Sequence, residues 1–337
     1  MSMTANSKTP AIAVAGCGYW GKNIVRNFAE LGVLAAISDA NPQLADEFSR
    51  KYSVPARTLP EILSDPSIVG VAFATPAELH VEHVSAALKA GKHVFVEKPL
   101  ALDVAEGQGL AELAKKAGRV LMVGHLLQYH PLLLKLIELV RQNRLGRVRH
   151  VYSNRLNLGK LRIEEDVIWS FAPHDISVVL AIMGHMPSDV SVNAASILNP
   201  KIADIADLHM TFADGTSARV FVSCLNPFKE QKLVVIGDAA QAVFDDTRSW
   251  GEKLTIFDHK AVEKNGRPEA VKAEGERVSV PQKEPLREEC AHFLECIVEG
   301  HAPRTDSAEA LRVLATLDAA RRATLTNKPV VPHRVAT

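Results

Sequence analysis

The first 124 residues alternate short apolar runs with longer stretches in which apolar side chains recur every three or four positions. Apolar runs of this length predict buried strands, and the longer period predicts helices between them. The predicted strands are 11–15, 33–38, 68–74, 93–96 and 119–123. Helices are predicted at 22–31, at 103–117 and from Thr75-Pro76 to Gly91, and two more are predicted to begin at Asn41-Pro42 and at Thr58. Strands separated by helices in this way predict a parallel, doubly wound sheet.

The pattern changes after Pro131. A predicted helix at 132–141 is followed by strands at 148–158, 190–198, 207–212, 217–223, 232–236, 241–244 and 253–257. Asp214-Gly215 and Gly237-Asp238 are typical hairpin turns, so this second sheet is predicted to be mainly antiparallel. The charged stretch 260–283 predicts a surface excursion, and helices at about 286–299 and 307–325 close the chain.

Composition excludes several classes of protein. The 337 residues fit two domains, and 39 basic residues balance 39 acidic ones, so we predict neither a nucleic-acid nor a membrane partner. The four cysteines form no Cys-x-x-Cys pair, which favours reduced thiols in a cytoplasmic protein. His80 and His83 have helical spacing but no third ligand, so we predict no metal site. We expect no signal peptide in the polar residues 1–10.

A glycine motif follows the first predicted strand. Gly16-x-Gly18-x-x-Gly21 opens the first helix, and Asp39 ends the second strand 18 residues after Gly21. In this context the motif predicts dinucleotide binding in a Rossmann domain, although a βα turn without nucleotide is the alternative. The charge of Asp39 would repel a 2′-phosphate, which favours NAD over NADP.

Further motifs extend this interpretation. The glycine motif, Thr75-Pro76 with His80, Gly91 to Val94 and Glu97-Lys98-Pro99 together resemble the Gfo/Idh/MocA oxidoreductases. The resemblance is strong in the first predicted domain and looser beyond it, and it implies NAD(P)-linked oxidation or reduction at a sugar-type carbon. The cofactor contacts that it implies are Gly16, Gly18, Tyr19, Trp20, Gly21, Asp39, Thr75, Pro76, His80, Glu97 and Lys98.

Two domains follow from these patterns. We predict an NAD-binding Rossmann domain at residues 1–124. Residues 125–337 are predicted to form an α+β domain with a large, mainly antiparallel open sheet, which binds substrate and forms oligomers. Because one face of such a sheet needs covering, we expect a homodimer or homotetramer built on it.

Lys98 and His174 are the predicted catalytic residues. Lys98 ends an apolar strand before Pro99, which directs the chain to turn at the carboxyl edge of the sheet; a surface lysine is the alternative. The resemblance implies a histidine at the start of a helix in the second domain, and His174 matches it. Pro173 suits the first helical position, so we predict His174 in the first turn, where the helix dipole disfavours imidazolium. A neutral His174 can accept the hydroxyl proton, while Lys98 orients the hydroxyl.

The chain departs from the family pattern at Ser170. The resemblance implies an aspartate at this position and a glycine pair upstream, which Ile163 to Asp166 replace. A serine can form hydrogen bonds but carries no charge, so a complete Lys/Asp/His triad is not assumed. Asp175 or Glu165 could supply the missing carboxylate.

The segment from Asn154 to Ser170 resembles a branch of the family that acts on nucleotide sugars. That branch implies oxidation, often at C3, of a UDP-linked N-acetylhexosamine or its uronate in polysaccharide pathways. Its basic side chains could pair with a diphosphate or form an ordinary solvated loop, and Trp169 could stack on a sugar or anchor the core. The predicted substrate contacts are Tyr129, Arg155, Lys160, Arg162, Trp169, Ser170 and His174.

Two other functions remain open. The substrate could be a free polyol or sugar such as myo-inositol or glucose. The chain could also be an NAD-binding regulator without turnover, which Lys98 and His174 argue against and Ser170 leaves possible.

Overall fold

A computed structural model describes residues 9–159 and 166–335 and divides the chain into two units. Unit 1 comprises Met1–Gly124 and Leu286–Leu311, and unit 2 comprises His125–Pro285 and Arg312–Thr337.

Unit 1 contains a five-stranded parallel sheet with the order β2-β1-β3-β4-β5. The strands are β1 (Ala11–Ala15), β2 (Leu34–Ser38), β3 (Ile68–Phe73), β4 (His93–Glu97) and β5 (Leu121–Gly124), and the helices between them are α1 (Gly21–Glu30), α2 (Pro42–Tyr52), α3 (Leu59–Ser64), α4 (His80–Lys89) and α5 (Val104–Ala117). The sheet is buried on both faces, as its apolar strands predict. This arrangement confirms the doubly wound sheet.

The helices of unit 1 begin where their caps indicate. The Asn41 side chain accepts hydrogen bonds from the backbone of Gln43 and Leu44, and Pro42 occupies the first helical position of α2. Thr58 and Glu61 form the predicted capping box of α3. Such caps satisfy backbone donors that the first helical turn leaves unpaired.

Unit 2 is built around an eight-stranded sheet with the order β15-β12-β11-β10-β6-β9-β8-β7. Its elements, with the isolated hairpin β13–β14, are α6 (Pro131–Arg141), β6 (Val148–Leu158), α7 (Val167–Met183), β7 (Asp189–Ala195), β8 (Ile205–Thr211), β9 (Ser217–Ser223), β10 (Leu225–Gly237), β11 (Gln241–Asp245), β12 (Leu254–Phe257), β13 (Lys260–Lys264), β14 (Arg267–Val271) and β15 (Gly275–Arg277). Every pair of neighbouring strands is antiparallel except β6 and β9. The mainly antiparallel sheet is therefore confirmed.

Helices α6 and α7 supply the core of unit 2. Leu133 and Leu136 of α6 and Ile176 and Val179 of α7 belong to one buried cluster with the inward-facing residues of the sheet, such as Val220. The hairpin β13–β14 is exposed along its whole length, as the charge of this stretch predicts.

Two helices close the chain, α8 (Pro285–Glu299) and α9 (Ser307–Thr326). The prediction that residues 125–337 form one domain is wrong for Leu286–Leu311, which belong to unit 1. The reason is apolar packing: the ring of Phe293 on α8 meets those of Phe28 and Phe95 edge to face, with centroids 6.4 and 6.0 Å apart. Over residues 9–159 and 166–335, no helix has the length and apolarity that crossing a membrane requires.

Candidate functional site

The glycine loop lies where the strand order of unit 1 reverses, between β1 and β3. Gly16 has a φ of +92°, and a Cβ atom at this residue would lie 2.6 Å from the Ala74 carbonyl oxygen. A Cβ at Gly21 would lie 1.9 Å from the carbonyl oxygen of Gly16. At Gly18 no described atom lies within 4 Å of such a Cβ. The outer glycines therefore close the turn, while Gly18 leaves its backbone open to a ligand, as binding of a diphosphate at the start of α1 requires.

Asp39 connects the end of β2 to this loop. Its carboxylate accepts hydrogen bonds from the backbone N–H groups of Cys17, at 2.6 Å, and Asn41, at 2.8 Å. Burial, and then the charge of Asp39, raise the pKa of the Cys17 thiol to about 12. The thiol is consequently neutral at physiological pH, and the acid holds the loop in a fixed conformation.

Trp20 joins the glycine loop to the Glu-Lys-Pro turn at the end of β4. The indole N–H of Trp20 donates to Oε1 of Glu97 at 2.5 Å, and the backbone N–H of Lys98 donates to Oε2 of the same carboxylate at 3.3 Å. Lys98 is half-buried, and the Lys98–Pro99 peptide bond is cis. Tyr19, next to Trp20, is exposed. The structure thus brings Trp20, Glu97 and Lys98 together at the carboxyl edge of the sheet.

His80 bridges two turns at this edge. Its Nδ1 atom lies 2.7 Å from the carbonyl oxygen of Pro99, and its Nε2 atom lies 3.0 Å from that of Thr75. Burial lowers the pKa of His80, and its two bonds to carbonyl groups act in the opposite direction. Both ring nitrogens of His80 therefore face backbone carbonyl groups, and the side chain links the turn at Thr75 and Pro76 to the turn at Pro99.

A fully buried acid on α8 was missed by the sequence reasoning. Glu289 is 0% exposed, and neither of its carboxyl oxygens has a hydrogen-bond partner among residues 9–159 and 166–335. Burial, then the charges of Glu97 and Glu309, raise its pKa well above the ordinary value for glutamate. The signal in the sequence was a glutamate placed within the apolar stripe of α8, between Leu286 and Phe293.

In unit 2 the predicted start of α7 is wrong. The helix begins at Val167, with Asp166 as its N-cap, and Pro173 lies inside it. His174 is therefore two turns into the helix rather than in its first turn, and the dipole argument for a neutral imidazole no longer applies. The physical reason is that the residues before Pro173 have their own cap and bury Val167 and Ala172 in the core.

Ser170, at the position where the family pattern has an aspartate, faces its own helix. The side chain is buried, and its hydroxyl donates to the carbonyl oxygen of Asp166 at 2.9 Å. His174, one turn further along α7, is half-buried.

Asp175 is paired inside unit 2. Its carboxylate accepts hydrogen bonds from Ser153 Oγ at 2.6 Å and from the Arg155 guanidinium at 2.6 and 3.3 Å. A cavity of about 10 Å³ adjoins this pair, with room for a single water molecule. Asp175 therefore has its own partners and is not a free replacement for the acid missing at Ser170. Arg155, for its part, already has an anionic partner.

The remaining predicted substrate contacts of unit 2 differ in burial. Tyr129 is buried, and Gln128 beside it donates from Nε2 to Ser177 Oγ of α7 at 2.9 Å. Trp169 packs against the apolar core, as expected if it anchors the core and does not stack on a sugar. Lys160 and Arg162, together with Glu165, lie outside the described residues.

One group of side chains in unit 1 has metal-ligand chemistry. Ligand atoms of Glu295, Glu299 and His301 lie within 4.8 Å of one another, and all three residues are exposed. His301 Nε2 is 3.4 Å from the Glu299 carboxylate, and pairing of opposite charges accounts for this arrangement when the histidine is protonated.

Comparisons with known proteins agree with this architecture. Residues 11–125 match the family described as "Oxidoreductase family, NAD-binding Rossmann fold", and residues 133–243 match the "GFO/IDH/MocA C-terminal domain". The UDP-N-acetylglucosamine 3-dehydrogenase of Acidithiobacillus ferrooxidans is 28% identical over 90% of this chain and 93% of its own. A solved structure of the enzyme of that name and species has a TM-score of 0.83 at 26% identity, covering 93% of this chain and 96% of that one. The myo-inositol 2-dehydrogenase of Thermotoga maritima is 26% identical over 74% of this chain and 73% of its own.

Proposed function

Because this chain belongs to the Gfo/Idh/MocA family of NAD-binding oxidoreductases, which act on CH–OH groups, we propose that it oxidises C3 of a UDP-linked N-acetylhexosamine or its uronate. The observation that carries this choice of substrate is the 28% identity to a UDP-N-acetylglucosamine 3-dehydrogenase over 90% of the chain. The reaction would belong to polysaccharide biosynthesis.

The cofactor site of this proposal is the carboxyl edge of unit 1. The open backbone at Gly18 and the start of α1 would hold the diphosphate, and Asp39 would accept hydrogen bonds from the adenosine ribose. The Asp39 carboxylate is already oriented by its bonds to Cys17 and Asn41, so little reordering is needed. Bound NAD would supply the hydride acceptor.

The proton chemistry falls to Lys98 and His174. A nitrogen of the His174 imidazole would take the hydroxyl proton, a role in which histidine is the commonest side chain. Lys98 Nζ would orient the hydroxyl and stabilise the negative charge that develops on its oxygen. Since Ser170 is bonded to its own helix and Asp175 to Arg155, Lys98 would carry more of the proton transfer than it does where an aspartate is present.

The rival substrate is a free polyol or sugar, which the 26% identity to a myo-inositol 2-dehydrogenase favours. NADH formation should be measured with UDP-N-acetylglucosamine, with its uronate, with the same sugars lacking UDP, and with myo-inositol. We expect turnover only when UDP is present. Undiminished activity on a bare sugar or on myo-inositol would exclude the nucleotide-sugar proposal.

We also propose that the chain forms a homodimer or homotetramer through the sheet of unit 2. Several large apolar side chains of this unit are exposed, which is a feature of association surfaces. They include Leu158, Ile197, Leu198 and Phe228. A monomer in light scattering at micromolar concentration would contradict the proposal.

A further inference from the structure

Glu97 and Glu289 are two buried acids of unit 1 that interact electrostatically and have unequal surroundings. Glu97 is 9% exposed and accepts hydrogen bonds from the Trp20 indole and from the Lys98 backbone. Glu289 is 0% exposed and has no donor among the described residues. Hydrogen bonds donated to a carboxylate favour its charged form, whereas burial without a donor favours the neutral form.

These environments determine which acid keeps a proton. Among the residues that the structure describes, the charged groups that act on Glu289 are Glu97 on β4 and Glu309 on α9, and both are acidic. A second buried anion would therefore face repulsion from both carboxylates, and no cation among the described residues is known to offset it. Interacting acids of this kind titrate as a unit, so the pair should hold one negative charge, located on the member that has donors.

We propose that Glu289 is a positioning residue for the cofactor end of the site: it remains a neutral acid, so that of Glu289 and Glu97 only Glu97 is charged, and Glu97 keeps its bonds to Trp20 and to the Lys98 backbone. The proposal rests on the cofactor site described under the proposed function.

The position of Glu97 leaves little room for movement. A Cβ atom at Gly124 would lie 3.0 Å from Glu97 Oε2, so the carboxylate packs closely against the end of β5. Ionisation of Glu289 would push Glu97 from this position and weaken its hold on the glycine loop. Cofactor affinity should therefore depend on the charge of Glu289, a residue on a helix outside the loop.

Infrared spectroscopy tests the charge state directly. The wild-type protein at neutral pH should show the C=O band of a protonated, buried carboxylic acid, which Glu289→Gln should remove. The matched control is Glu299→Gln, an exposed glutamate on the same helix, in which the band should persist. In Glu97→Gln the like charge is gone, and the band should disappear at a lower pH than in the wild type. A wild-type spectrum without the band overturns the proposal.

NADH titrations at increasing pH test the consequence for the site. Wild type and Glu289→Gln should bind NADH equally at neutral pH, and the wild type should lose affinity by about tenfold relative to the variant in alkaline solution. Parallel profiles of the two proteins overturn the positioning role. Neither measurement needs a sugar, so absence of turnover would contradict the proposed function alone. If NADH does not bind, the cofactor site of that function fails, and the infrared band still decides the charge on Glu289.

Discussion

Each unit contains a buried acid, Asp175 in unit 2 and Glu289 in unit 1, and the two acids have opposite surroundings. Asp175 follows His174 on α7 and accepts hydrogen bonds from a serine and an arginine. Glu289 lies on α8 near the charge of Glu97, whose neighbour is Lys98, and has no partner among the described residues. Burial alone therefore does not decide whether a carboxyl group is ionised or protonated. The donors around it decide whether it contributes a fixed charge or a fixed proton.

The largest effects should come from the two proposed catalytic residues. Lys98→Ala and His174→Ala should each lower kcat by roughly 10²–10⁴-fold, because each removes a group that handles the hydroxyl proton. Steady-state kinetics with the preferred substrate measures this loss. His185→Ala, an exposed histidine just after α7, is the control and should leave kcat unchanged. Wild-type turnover in both catalytic variants would show that the assigned chemistry is wrong, whereas absence of turnover in the wild-type protein on every sugar tested would favour a regulator.

The paired acid should matter most for stability. Asp175→Asn leaves the Arg155 guanidinium without its carboxylate in a largely buried site, so the free energy of unfolding should fall by about 3–5 kcal/mol. Urea denaturation followed by circular dichroism measures the change. Asp258→Asn breaks the exposed ion pair with Arg144 and should have little effect. Equal losses in the two variants would mean that burial of the pair is unimportant.

Glu289 should affect the stability of the fold through the proton that it keeps, and this effect should depend on pH. In the pH range above the ordinary glutamate pKa of 4.5, the unfolded chain releases the Glu289 proton and the folded protein keeps it. Stability from this group is therefore fully present below that value and is lost as the pH rises through the raised pKa of the folded state, by up to about 1.4 kcal/mol per pH unit. Glu289→Gln should remove this dependence and be more stable than the wild type at alkaline pH.

Unfolding by urea at several pH values measures the difference between Glu289→Gln and the wild type. Glu299→Gln, exposed on the same helix, should follow the wild-type dependence. A constant difference between Glu289→Gln and wild type at every pH would indicate that Glu289 does not hold a proton.

The smallest effect should come from Trp20→Phe. This change removes the indole donor to Glu97 while the Lys98 backbone donor remains, and because Trp20 is partly exposed we expect only a few-fold loss of NADH affinity. Trp250→Phe is the control, since that indole donates to the Val280 carbonyl in unit 2. Fluorescence titration compares the NADH affinities of the two variants. Equal affinities would show that the bond from Trp20 to Glu97 does not contribute to cofactor binding.

Local patterns predicted unit 1 well. The glycine motif, Asp39 and the caps at Asn41 and Thr58 act within a few residues or across adjacent strands, so spacing alone located them. The start of α7 was missed because Pro173 is favoured at a first helical position, while core burial of the preceding turns prevailed.

The sequence does not predict which charged side chains form pairs when the partners lie on distant elements. Alternation along β6 directs Val151 and Ser153 inward, but the partner of Arg155 comes from a helix twenty residues later in the chain. That Glu289 has no hydrogen-bond partner in the described part of the chain depends likewise on what α8 packs against. In both cases the charge was visible in the sequence, and only the tertiary structure supplies its surroundings.

The return of the chain to unit 1 has a consequence for protein engineering. Phe293 of α8 covers the apolar rings of Phe28 and Phe95, so the cofactor-binding module consists of two separate stretches of sequence. A fragment ending at Gly124 would expose that apolar surface to water and tend to aggregate. A chimera that transplants this module into a relative would therefore have to exchange Leu286–Leu311 along with the N-terminal part, even though more than 150 residues separate them in the chain.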